Sequence, residues 1–192
     1  MIGLFGGAFD PPHVGHVALV RAAKAALALD RVIVIVVADP GHKDVQTPAD
    51  VRLELTRAAF PDDEVVLDEH PRTVDLLRDH PEWDDPVFLV GADVFSGFLD
   101  WKEPAEVLRL ARLGVATRPG YSPERLRETL ERLEAPERVL FFDLAPQPAS
   151  SHELRARLGR GEGAGAAIPH AVLAIIERDG LYGGERRYTQ PA

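Results

Sequence analysis

Six short apolar runs, rich in β-branched residues, recur along the 192-residue chain and alternate with longer segments of helical period. Strands that alternate with helices are typical of a parallel sheet covered by helices on both faces. The run Val32–Val37 is apolar at every position, which indicates a strand buried on both sides. The predicted strands are Ile2–Phe5, Val32–Val37, Val65–Leu67, Val87–Val90, Leu113–Thr117 and Val139–Phe142.

The segments between and after these strands complete the predicted architecture. Helices are predicted over His13–Leu29, Asp50–Phe60, Thr73–Asp79, Glu103–Arg112, Pro123–Leu133, Ser150–Leu158 and Pro169–Asp179. Ser150 is a suitable N-cap, Pro169 suits a first helical turn, and Gly180 follows the end of the last helix. The fold class is therefore α/β, a Rossmann-like doubly wound parallel sheet with C-terminal helices. The length favours one domain over residues 1–182, followed by a polar tail over 183–192.

Composition excludes several classes of protein. Lys and Arg number 22 against 31 Asp and Glu, a net charge of −9, which argues against binding to a nucleic-acid backbone. With no cysteine in the chain, disulfides, thiolate metal sites and cysteine nucleophiles are excluded. No apolar stretch reaches the roughly 18 residues of a membrane span, and the N-terminus has no signal-peptide pattern, so we expect a cytoplasmic protein.

The most informative segment joins the first strand to the first helix and reads Gly6-Gly7-Ala8-Phe9-Asp10-Pro11-Pro12-His13-Val14-Gly15-His16. Glycines allow positive φ and close approach of a ligand, and the amides at the start of a helix attract anions. A phosphate site is the natural interpretation, although an ordinary tight turn would also use two glycines. The segment is neither a Walker A loop nor a GxGxxG motif.

His13 and His16 are three residues apart, which would place both on one face of the predicted helix. Gly15 between them would leave room for a bulky group above the first turn. Imidazoles in that position can donate hydrogen bonds to phosphoryl oxygens and stabilise charge in a transition state. Helix-terminal histidines can instead be caps or solvated side chains, and a metal site would need further ligands that the spacing does not supply.

The segment Gly6–His16 resembles the nucleotidylyltransferase superfamily, and within it the bacterial nicotinate-nucleotide adenylyltransferases, whose GGxFDPxHxGH pattern it matches at every fixed position. Further matches follow in the family's order up to about Tyr182. They are Pro40–Lys43 with PxHK/R, Val87–Asp93 and Trp101 with strand-GAD…W, Arg118–Tyr121 with RPGY, Ser150–Arg155 with SSTxIR, and Ile176–Tyr182 with IERxGLY.

The resemblance implies adenylyl transfer from ATP to nicotinate mononucleotide, giving deamido-NAD and pyrophosphate in NAD biosynthesis, with Mg²⁺ bound mainly through the ATP phosphates. It implies His16 and His13 as catalytic residues on the ATP phosphates, with His16 nearest the α-phosphate. ATP would also be bound by Gly7, Ala8, Phe9, Gly91, Asp93, Arg118, Ser150, Ser151 and Arg155. The mononucleotide would be bound by Lys43, Thr73 and Trp101.

Each of these residues also has a simpler explanation. Lys43 could be a surface lysine, Asp93 an N-cap and Trp101 part of the core. Ser150 could be a plain helix cap followed by a surface Arg155.

Departures from the family pattern leave alternatives open. The segment 71–76 lacks the Ser-Tyr of the family's GxSYTxDTL, although Thr73 and Asp75 fit, and His152 replaces a Thr. Lys102 beside Trp101 would favour a nicotinate carboxylate by charge. The alternatives are a related transferase that uses nicotinamide mononucleotide or another phosphorylated acceptor, and an inactive nucleotide-binding module. A homo-oligomer is compatible with the sequence, which does not determine subunit number.

Overall fold

The computed structural model describes residues 1–41, 44–117, 123–147 and 149–183, and within these the predicted strands form one parallel sheet. The strands are β1 (Ile2–Gly7), β2 (Arg31–Val37), β3 (Glu64–Asp68), β4 (Val87–Gly91), β5 (Arg112–Thr117) and β6 (Val139–Asp143). Their order is β3-β2-β1-β4-β5-β6, so the predicted doubly wound fold is confirmed. Gly3 of β1 pairs with Val32 on one side and Val87 on the other, which places the reversal of strand order between β1 and β4.

The helices follow the predicted positions closely. They are α1 (Val14–Ala26), α2 (Ala49–Ala59), α3 (Thr73–Asp79), α4 (Ala92–Phe95), α5 (Pro104–Leu110), α6 (Pro123–Glu131), α7 (Ser151–Gly159) and α8 (His170–Asp179). The four-residue α4 was not predicted because it is too short for a helical period. Several predicted bounds were wrong. The predicted starts His13, Glu103 and Pro169 are the N-caps of α1, α5 and α8 and lie outside the helices. Arg112, the predicted end of a helix, is the first residue of β5.

The sheet is covered on both faces, as the uniform apolar character of β2 predicts. Val34 and its neighbours at alternate positions pack against α1, α2, α7 and α8. Ile33 and Ile35 point to the other face and pack against α3, α4 and α5. Because successive side chains of a strand point to opposite faces of the sheet, the strands contribute to two separate cores. Within the described part of the chain, no helix is long and apolar enough to cross a membrane.

The caps of the two C-terminal helices agree with the sequence prediction. The hydroxyl of Ser150 accepts a hydrogen bond from the Glu153 amide at 3.2 Å, which caps α7. Gly180 ends α8 with a left-handed φ of 61°, a conformation that glycine adopts without strain. This turn buries Leu181 in the same core as α8 and brings Tyr182 back towards the sheet.

Candidate active site

The predicted phosphate-binding segments meet at the carboxyl edge of the sheet, where strand order reverses. The β1–α1 loop follows β1, and the hydroxyl of Ser151 at the start of α7 donates to the Pro11 carbonyl in that loop at 2.9 Å. The N-termini of α1 and α7, far apart in sequence, are therefore neighbours. Because both helix ends present amides and positive dipole ends, the arrangement favours an anion between them.

His13 and His16 cap α1 reciprocally. The Gly15 amide donates to His13 Nδ1 at 3.1 Å, and the His13 amide donates to His16 Nδ1 at 3.1 Å. The two rings stack with centroids 3.7 Å apart. The prediction that both residues lie on one face of the helix was wrong, because His13 has the extended backbone of an N-cap. The rings nevertheless come together.

The capping bonds decide which ring nitrogens can donate. Because each Nδ1 accepts a backbone hydrogen, a neutral ring carries its proton on Nε2. Burial lowers the pKa of His13 to about 4, so this imidazole is neutral near pH 7. Both rings in this tautomer are N–H donors at Nε2, which is the group needed to bind a phosphoryl oxygen.

The depressed pKa of His13 makes stability depend on pH. An unfolded histidine takes up a proton near pH 6.5 whereas the folded one resists until about pH 4, so stability falls as pH drops through this window. Between pH 7 and pH 4.5 the loss due to His13 is about 2–3 kcal/mol. His13→Asn keeps a capping side chain but does not titrate. We expect its free energy of unfolding to fall less than that of the unmodified protein over this interval, by the same amount, as measured by urea unfolding. Identical pH dependence in both proteins would contradict the assignment.

The positive φ expected at the glycines of the loop was wrong. Gly6 and Gly7 end β1 without positive φ, which occurs instead at Phe9 with φ 52°. A Cβ on Gly7 would lie 2.9 Å from the Phe9 ring, and that ring contacts His16 edge-on at 5.0 Å. A Cβ on Gly15 would lie 2.9 Å from the His13 ring. The glycines therefore make room for these two rings, and the space above Gly15 holds His13.

Arg52 is a buried residue of the site region that our sequence analysis missed. The residue is 1% exposed, and its guanidinium donates to four backbone carbonyls. These belong to Ala8 in the β1–α1 loop, Val37 and Ala38 at the end of β2, and Thr47. The available signal was its place on the apolar face of α2, three residues before the buried Leu55.

Asp10 lies within the segment Gly6–His16 but was not among the predicted site residues. Its carboxylate is buried and accepts from the Gln46 amide at 2.5 Å, from Thr47 Oγ1 at 2.6 Å and from the Tyr182 hydroxyl at 2.6 Å. Arg155 Nη1 lies 3.9 Å from the same carboxylate. A buried charge needs such partners, so Asp10 ties the loop before His13 to three other segments.

Arg155 lies deeper than the sequence indicated. It is 8% exposed, and its Nη1 and Nη2 donate to the carbonyls of Asp10 and Asp44 at 2.7 and 3.0 Å. Its Nε is buried and has no hydrogen-bond partner among the residues that the structure describes. Arg155 therefore joins two loops, and a phosphate-binding role for it stays a prediction. Ser150 and Ser151 use their hydroxyls in the contacts described above, which leaves their amide region for a ligand.

Gly91 and Asp93 lie together at the end of β4, beside β1. Gly91 is the N-cap of α4, and a Cβ on it would lie 2.6 Å from Asp93 Oδ1. The alternative in which Asp93 is the N-cap was therefore wrong. The exposed carboxylate of Asp93 lies at the switch point, where a ribose hydroxyl could reach it.

The residues predicted for the second substrate are only partly described. Thr73 begins α3, and Trp101 packs edge-on against Phe88 at 5.9 Å, so it contributes to the core while remaining partly exposed. Lys102 Nζ contacts Asp75 Oδ1 at 3.1 Å. The expected attraction of Lys102 for a carboxylate is thus offset by Asp75. Lys43 and Arg118 lie outside the described residues.

Among the residues that the structure describes, no three His, Asp or Glu side chains are grouped so that they could bind a metal ion. Octahedral Mg²⁺ is commonly held through substrate phosphates and water.

A parallel sheet with two helix N-termini meeting at its switch point defines a Rossmann-type α/β protein. The chain belongs to the cytidylyltransferase-like family, whose model matches residues 4–157. It is 38% identical to a probable nicotinate-nucleotide adenylyltransferase of Thermus thermophilus, over 94% of this chain and 98% of the relative. A protein of the same name from Rubrobacter xylanophilus is 32% identical over 98% and 95% of the two chains.

Solved structures agree on the fold. Plasmodium falciparum nicotinic acid mononucleotide adenylyltransferase complexed with NaAD superimposes with a TM-score of 0.71 at 16% identity, covering 94% of this chain and 96% of that one. A putative nicotinate-nucleotide adenylyltransferase from Vibrio parahaemolyticus gives a TM-score of 0.60 at 21% identity, covering 98% and 96%.

Proposed function

We propose that this protein is a nicotinate-nucleotide adenylyltransferase, which transfers the adenylyl group of ATP to nicotinate mononucleotide in NAD biosynthesis. The names of relatives at 32–38% identity over nearly the whole chain support this function. The observation that carries it is the reciprocal capping of His13 and His16, which sets two imidazole donors beside the N-terminus of α7.

The chemistry requires positioning more than acid–base catalysis. An oxygen of the mononucleotide's 5′-phosphate attacks the α-phosphorus of ATP, and the bond from that phosphorus to the bridging oxygen breaks to release pyrophosphate. Because the attacking oxygen is already ionised, no general base is needed. The protein contributes orientation and stabilisation of the charge that develops on the phosphoryl oxygens.

We assign the predicted site residues to the two substrates, ATP and the mononucleotide. On the ATP side, His16 binds nearest the α-phosphate and His13 beside it. The remaining ATP contacts are assigned to Gly7, Ala8, Phe9, Gly91, Asp93, Arg118, Ser150, Ser151 and Arg155. Lys43, Thr73 and Trp101 are assigned to the pyridine mononucleotide. Mg²⁺ is assigned to the ATP phosphates, because octahedral Mg²⁺ is commonly held through substrate phosphates and water.

Location and assembly are further proposals. We infer a cytoplasmic location because ATP and nicotinate mononucleotide are metabolites of that compartment. A homo-oligomer stays an expectation, and light scattering of the purified protein would establish the subunit number.

Release of pyrophosphate tests the proposed activity. With ATP and Mg²⁺ present, we expect kcat/KM for nicotinate mononucleotide to exceed that for nicotinamide mononucleotide at least tenfold, because a site matched to one polar group rejects its analogue. A ratio near one, or the reverse preference, would favour the alternative acceptor. ATP binding by calorimetry with no release from any acceptor would favour the inactive nucleotide-binding module.

A further inference from the structure

The C-terminal segment 176–182 is not used by the proposed chemistry, yet it reaches the active-site loop. Gly180 turns the chain after α8, and Tyr182 follows with φ 62°, an uncommon conformation for a residue with a side chain. Its hydroxyl donates to Asp10 Oδ1 at 2.6 Å across 172 residues of sequence. Burial and the Asp10 carboxylate raise the pKa of Tyr182, so the hydroxyl keeps the proton that it donates.

Asp10 is 1% exposed and its oxygens are shared among donors from different segments. Oδ1 accepts from Thr47 and Tyr182, and Oδ2 accepts from the Gln46 amide. Arg155 adds a positive charge and donates to the Asp10 carbonyl. Losing one donor from a buried carboxylate is costly, and movement of Asp10 towards other partners would relieve that cost.

Movement of Asp10 would also displace the two histidines. Asp10 is three residues before His13, whose amide orients His16 through Nδ1. A displacement of this loop would therefore turn the Nε2 donors of both rings. Misplacement by about 1 Å can lower the rate of a positioned reaction about 100-fold.

We propose that Tyr182 is a positioning residue for adenylyl transfer: its hydroxyl holds Asp10, and through the loop 10–13 it sets the orientation of His13 and His16. The inference rests on the proposed function. In this role Tyr182 acts through Asp10, and the C-terminal turn supports the active site.

The test is Tyr182→Phe, which keeps the ring and removes only the hydroxyl. We expect kcat for pyrophosphate release to fall 10- to 100-fold, with KM for ATP changing less than threefold. Thr47→Val removes the other donor to Asp10 Oδ1 and is expected to lower kcat similarly. The ¹⁵N shifts of the His13 and His16 rings should change in both variants, since they report hydrogen bonding at Nδ1.

Val107→Ala is the matched control, because Val107 is buried in α5 against the opposite face of the sheet. It should lower the melting temperature but leave kcat and the histidine shifts unchanged. If Tyr182→Phe and Thr47→Val behave like this control, the positioning role is overturned; if the phenylalanine variant does not fold, Thr47→Val decides. Absence of pyrophosphate release from the unmodified protein would instead reject the proposed function, and the histidine shifts would still test the positioning.

Discussion

Replacing His16 with alanine is expected to lower kcat for pyrophosphate release by about 10²–10³-fold, because it removes a hydrogen-bond donor from the charge that develops at the α-phosphate. The His16 ring is oriented by the His13 amide and supported by the Phe9 ring. Its donor is therefore preorganised before substrate binds. The measurement is steady-state turnover with ATP, Mg²⁺ and nicotinate mononucleotide.

His80→Ala provides the matched histidine control. His80 stacks on Trp83 in the segment that precedes β4, at the edge of the sheet opposite the site. We expect its kcat to equal that of the unmodified protein. A His16→Ala variant with native circular dichroism and an unchanged rate would remove His16 from the mechanism.

Replacing Arg52 with methionine is expected to lower the free energy of unfolding by about 3–5 kcal/mol. Methionine fills part of the same space, but the four carbonyls that Arg52 binds lose a charged donor, at a cost of about 1–3 kcal/mol for each buried group left unpaired. Relief of the buried charge offsets part of this sum. The expected loss is a large fraction of the 5–15 kcal/mol that stabilises a typical domain.

Arg57→Met in the same helix is the control, because Arg57 is exposed. Its effect should stay within about 0.5 kcal/mol in urea unfolding. Since Arg52 also holds the Ala8 carbonyl, kcat should fall in the Arg52 variant and not in the control. Equal stability of the two variants would show that the Arg52 hydrogen bonds contribute little.

The fold was accessible from the sequence because its signals are local. The uniform run Val32–Val37 and the alternation of strands with helices reflect which faces are buried, and burial leaves a period in the sequence. The cap at Ser150 and the turn at Gly180 were equally accessible, since each depends on one residue type at one helix end. The short α4 was missed because four residues carry no period.

The histidine pair was recognised for its residue types, but its geometry was not. A spacing of three residues predicts a shared helical face, whereas His13 leaves the helix to cap it and stacks on His16. Side-chain capping competes with helix formation at such positions, and the spacing alone does not decide between them.

By itself, the sequence determined the parallel sheet and the motif between β1 and α1. Only the tertiary structure decided how the site is supported: Tyr182 reaches Asp10 across 172 residues, Ser151 reaches Pro11 across 140, and Arg52 joins the ends of two neighbouring strands. The physical reason is that local patterns record burial and backbone preference, whereas these contacts depend on which buried polar groups the packed chain leaves to be satisfied.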